Sequence, residues 1–150
     1  VPLLLAVAAL ALAACGGEDD QKAKNAYVGE VNAAQNEFAD TVQTVSERIT
    51  PKSSSSQDRK TLEQFQAAIA DVVKNLRGID VPDGVGSEHD QLVAAMSGFG
   101  DQIEEATTAL RNPDSTKIAE AQRTIQTATQ TVNLRIDAAI AAINSKLKQG

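Results

Sequence analysis

The chain has 150 residues and a formal net charge of −6, with three Phe, one Tyr and no Trp, so its core must be built from Ala, Val, Ile and Leu. That length supports one domain with a modest core. The acidic balance argues against nucleic acid as a partner, because phosphates demand Lys- and Arg-rich surfaces. A single cysteine and a single histidine exclude an intrachain disulfide, a Cys-x-x-Cys-His haem attachment and a di-iron bundle built on two Glu-x-x-His pairs. No cofactor and no metal site is expected.

Every residue from Val1 to Ala14 is apolar or Pro2, and the run stops at Cys15, Gly16, Gly17 and the acids Glu18, Asp19 and Asp20. A permanent span needs about 20 helical residues, so this shorter run reads as the h-region of a cleavable signal. Leu12-Ala13-Ala14-Cys15 resembles the bacterial lipobox. The resemblance implies that the Cys15 thiol is acylated, that residues 1–14 are removed, and that the mature protein is a lipoprotein held to the extracytoplasmic face of the cell membrane. The Met and the Lys- or Arg-bearing segment that normally open such a signal do not precede Ala14. The expectation is therefore a missing n-region or an alternative start codon at Val1. Residues 15–24 are polar and glycine-led, which reads as a lipidated, flexible tether.

From residue 25 onward the apolar positions follow the helical period. Tyr27, Val31, Ala34, Phe38, Val42, Val45 and Ile49 recur in steps of three and four, and Pro51 ends this first helix. Ser55 and Asp58 have capping-box spacing ahead of the second helix, whose stripe is Leu62, Phe65, Ile69, Val72, Leu76 and Ile79. Arg77-Gly78 suits a helix end with glycine in the left-handed C′ conformation. Val81-Pro82-Asp83-Gly84 reads as a turn with proline at its second position. Ser87 and Asp90 repeat the capping spacing, and Leu92, Met96, Phe99, Ile103, Ala106 and Leu110 form the third stripe, interrupted by Gly98 and Gly100. Asn112 and Pro113 have N-cap and N1 character. The last and longest helix carries Ile118, Ala121, Ile125, Ala128, Val132, Ile136, Ala139 or Ile140, Ile143 and Leu147.

Four amphipathic segments with short connections, and no stretch of period two, predict an all-α fold. The expected architecture is an antiparallel up-down-up-down four-helix bundle over 25–150, behind the cleavable signal. Leu76, Ile79-x-x-Pro82 and His89-x-x-Leu92 also resemble small alanine-rich lipoproteins of actinobacterial type. That resemblance implies the helical architecture and no particular activity.

Candidate chemistry is sparse. Ser87-Glu88-His89-Asp90 holds the residue types of a hydrolase triad, but consecutive helical residues point in different directions. Capping and solvated first-turn acids explain them instead. Gly84-Val85-Gly86 lacks the third glycine of a phosphate loop and follows no strand. The chain is therefore not expected to be an enzyme. Its expected role is an interaction or structural module of the cell envelope, joined to the membrane through the lipid on Cys15. A neutral face of the last helix, Gln122, Thr124, Gln126, Thr127, Gln130 and Thr131, is available to an envelope protein or cell-wall partner. The alternative is an extracytoplasmic sensor or carrier that binds a small molecule between helices near Gly98 and Gly100.

Overall fold

The computed structural model describes residues 17–49, 52–111 and 114–149. Four helices make up the fold, α1 (Glu18–Arg48), α2 (Ser55–Arg77), α3 (Gly86–Ala109) and α4 (Ser115–Gln149), and no strand occurs among the described residues. Close backbone approaches join α1 to α2, α2 to α3 and α3 to α4. Their apolar stripes merge into a single core that takes residues from all four helices, so the molecule is a helical bundle.

The expected stripes are the buried ones. Tyr27, Val31, Ala34, Phe38 and Val42 of α1 lie inside, as do Leu62, Phe65, Ile69, Val72 and Leu76 of α2. Leu92, Met96, Phe99, Ile103, Ala106 and Leu110 complete the α3 stripe, and Ala121, Ala128, Val132, Ile136, Ala139, Ile140, Ile143 and Leu147 that of α4, while Val45, Ile49, Ile79, Ile118 and Ile125 are only partly buried. Three phenyl rings meet at the centre. Phe99 approaches Phe38 and Phe65 edge-on at 5.7 Å in each case, and the last two lie nearly parallel at 6.4 Å. Each edge-on pair sets the positive rim of one ring against the negative face of another.

The helix ends differ from expectation in several places. α1 begins at Glu18, within the segment read as a tether. Its first turn carries Glu18, Asp19 and Asp20 at the positive end of the helix dipole, and Lys24 lays its buried stem along the core while its amine meets Asp20 at 2.9 Å. These interactions favour helix over an extended path, while Cys15 lies outside the described residues. The capping box at α2 is formed by Ser54 and Gln57 rather than Ser55 and Asp58: Gln57 N–H donates to Ser54 Oγ and Ser54 N–H to Gln57 Oε1. Asp58 instead accepts from Ser53 Oγ.

Gly78 ends α2 in a right-handed conformation, φ −87°, and the left-handed position falls at Gly84, φ +86°. The turn there closes from Val85 N–H to Pro82 C=O, so proline is its first residue rather than its second. Ser87 does not cap α3, which starts at Gly86 with the buried Val85 as N-cap and no side-chain bond. Asn112 and Pro113 lie outside the described residues, as do Thr50 and Pro51. At the start of α4 it is Asp114 that accepts from Lys117 N–H.

The two interrupting glycines behave differently. A methyl group added at Gly98 would touch nothing, whereas one at Gly100 would meet Ile69 Cγ2 at 3.3 Å. Only Gly100 therefore marks close helix packing. Gly98→Ala is expected to raise stability by up to about 1 kcal/mol through helix propensity alone, as measured by urea denaturation. A loss would mean that Gly98 does contact a neighbouring helix.

Candidate functional site

The start of α1, the end of α2 and the start of α3 converge on a buried polar cluster. His89 lies in step with Leu92, Met96 and Phe99, so the same helical phase that buries those side chains carries the imidazole inward. It is 4% exposed. Nε2 lies 3.0 Å from the Leu76 carbonyl of α2, and Nδ1 lies 3.1 Å from the Tyr27 hydroxyl of α1. A carbonyl only accepts, so Nε2 carries the hydrogen. In the neutral ring Nδ1 then accepts from the Tyr27 O–H.

The reading of this cluster as capping and solvated first-turn acids does not extend to His89, which is buried. The neighbouring Ser87 and Asp90 are exposed and Glu88 is half-buried, so the four residue types do not assemble into a triad. Both imidazole nitrogens are engaged and the ring is sealed from solvent, leaving no lone pair for a substrate proton. The chemical capacity of the cluster is to hold three helices in one register, because His89 of α3 bonds through one ring nitrogen to α1 and through the other to α2.

Tyr27 is 1% exposed. Burial first, and then the negative charge of Glu88, push its phenol up to about 12 from an ordinary value of 10. Since the folded value is the higher one, the contribution to stability is complete below pH 10 and is lost as pH rises towards 12. Two pH units correspond to roughly 2–3 kcal/mol. With one Tyr and no Trp in the chain, phenolate absorbance reports this group alone. Its titration is expected near pH 12 in the folded protein and near 10 in denaturant. Equal midpoints in the two states would remove the buried hydroxyl.

Elsewhere the surface offers grooves rather than chambers. One of about 330 Å³ runs between α2 and α3 beside Gly100 and is lined by Ile69, Val73, Lys74, Arg77, Asp101 and Glu104 among others. Another, about 580 Å³, lies between the end of α1 and the start of α2 and is lined by Arg48, Lys52, Gln57 and Lys60 among others. Among the described residues no group of three His, Cys, Asp or Glu side chains is placed to hold a metal ion. No described helix is long and apolar enough to cross a membrane. On the neutral face of α4, Gln122, Gln126, Thr127 and Gln130 are exposed, while Thr124 and Thr131 are half-buried. One turn beyond, Leu134 is 72% exposed.

No family model matches the chain, and comparison with curated proteins and with solved structures returned no match.

Proposed function

We propose that the protein is a bacterial lipoprotein of the cell envelope, held to the extracytoplasmic face of the membrane by acyl chains on Cys15 and acting through contact rather than catalysis. The observation that carries this reading is the junction of the apolar run with Leu12-Ala13-Ala14-Cys15, followed at once by a helical domain whose first helix opens at Glu18. Only Gly16 and Gly17 separate the acylated residue from that helix, so the lipid holds the bundle close to the membrane surface.

The arrangement proposed for the bundle is up-down-up-down. Its support is a set of antiparallel pairings: Arg48 near the end of α1 with Gln64 in α2, Asn75 near the end of α2 with Glu37, and His89 at the start of α3 with Leu76. In this topology α4 returns towards the tether, where Ile143 and Leu147 share the core with Tyr27 and Val31. Lys146 and Lys148 then face anionic head groups, each contributing about 1 kcal/mol near the surface, and also complement the end of the α4 dipole. The exposed, uncharged stretch of α4 around Gln126, Gln130 and Leu134 is the contact surface offered to an envelope partner.

The anchor is tested in cells that make the protein from its native gene. Mass analysis should find a diacylglyceryl group on Cys15 at the mature N-terminus, and Cys15→Ala should move the protein from the membrane fraction to the soluble one. Two acyl chains at about 0.8 kcal/mol per buried CH₂ make anchoring effectively permanent, so the shift should be nearly complete. A different mature N-terminus, or an unchanged distribution for Cys15→Ala, would overturn the reading.

A further inference from the structure

Three seams of the bundle are drawn close, and no comparable approach joins α4 back to α1 among the described residues. The chemistry of α1 differs between its two flanks. Glu37 and Arg48, which bond to Asn75 and Gln64, mark the flank turned towards α2. Gln21, Asn32 and Gln35 lie on the other flank of the apolar stripe, in line with the buried Val28 at steps of seven, four and three residues. Gln21 Oε1, Asn32 Oδ1 and Gln35 Oε1 are shut away from solvent and meet no donor within the protein, and Asn144 Oδ1 in the last third of α4 shares that condition.

Buried polar atoms are ordinarily paired. Elsewhere in this core they are, as at Tyr27, His89 and Thr107. The geometry points to the α1–α4 seam as the line along which the bundle opens, with the shielded carboxamide oxygens of Gln21, Asn32, Gln35 and Asn144 setting how readily it does so. In the closed state the four oxygens have given up solvent without gaining a protein donor, and opening returns it to them. The other three seams stay shut. α1 is tied to α2 and α3 by the phenyl trio and by Tyr27 with His89, and α4 keeps its extensive approach to α3. The motion is thus a parting of α1 from α4 about a hinge formed by the other helices, which bares Val28 and the adjoining core edge.

Amide hydrogen exchange of the purified full-length protein tests this, with Asn32→Leu and Asn144→Leu as variants and Gln91→Leu, on the exposed face of α3, as control. In the unaltered protein, segments 28–39 and 133–144 should exchange at least about tenfold faster than 65–76 and 92–103. Either variant, though placed on one helix, should slow exchange in both α1 and α4 by about tenfold or more, and the control should slow neither. Uniform protection of the four helices would overturn the inference. Faster exchange or lost helicity in both seam variants would do the same, as would equal slowing by Gln91→Leu.

Discussion

Replacing Phe99 by alanine is expected to cost about 4 kcal/mol of folding stability, the largest loss of any single change in the core. Burial accounts for most of it: the ring is 3% exposed, and truncating a buried Phe to Ala costs about 3–5 kcal/mol through lost transfer energy and the cavity left behind. Phe99 also makes both edge-on contacts of the aromatic trio, while Phe38 and Phe65 each make one. Each aromatic contact contributes roughly 0.5–1.5 kcal/mol beyond area. Phe38 and Phe65 also share a parallel contact, but a longer one at 6.4 Å, so Phe99→Ala ranks above Phe38→Ala and Phe65→Ala only through its two shorter contacts. A domain of this size has a net stability of about 5–15 kcal/mol, so the variant should unfold at markedly lower urea concentration. A loss below about 2 kcal/mol, or a ranking with Phe99 last, would show that the three rings do not meet as described.

His89→Ala is expected to cost about 3 kcal/mol for a different reason. The substitution leaves the Tyr27 hydroxyl buried without an acceptor, at roughly 1–3 kcal/mol, and opens a cavity between three helix ends. The Leu76 carbonyl suffers less, because it also accepts from Ile79 N–H. Tyr27→Phe removes only the donor to Nδ1 and should cost about 1–2 kcal/mol. The double variant Tyr27→Phe with His89→Leu should cost less than the sum of its parts, since removing both partners leaves no orphan between them. Additive losses in that cycle would mean that the two side chains do not share a bond.

The two predictions concern interactions that were unequally visible before the structure. Phe38, Phe65 and Phe99 stand in phase with their helical stripes, so their burial follows from spacing alone. Their convergence does not, because the level at which one helix meets another depends on loop geometry and packing that spacing does not carry. His89 shows the opposite case. Its place in the Leu92, Met96, Phe99 phase was present in the sequence, yet its acidic and serine neighbours favoured a solvated reading. Phase decides where a side chain points, and the polar neighbours point elsewhere.

The capping residues show the limit of local pattern. Ser53, Ser54, Ser55 and Ser56 are chemically equivalent, and which one caps α2 depends on where Gln57 or Asp58 can reach back. A one-residue shift is invisible to composition and decided by backbone geometry. The early start of α1 is similar. Glycines and acids after Cys15 suit a tether, but Lys24 finds both Asp20 and apolar surface once the bundle exists.

By itself the sequence determined the helical class, the number of helices and the inward face of each, because a period near 3.6 with apolar residues at steps of three and four admits little else. It also carries Leu12-Ala13-Ala14-Cys15, the junction on which the proposed lipid anchor rests. Tertiary structure alone decided that Tyr27 and His89, sixty-two positions apart, share a hydrogen bond, and that Gly100 but not Gly98 lies against a neighbour. It alone also decided that carboxamide oxygens of Gln21, Asn32 and Gln35 lie without a protein donor on the flank of α1 turned away from α2. Each of these depends on the rotation and height of one helix against another, which are set by the summed packing of the whole core and leave no mark in any single segment.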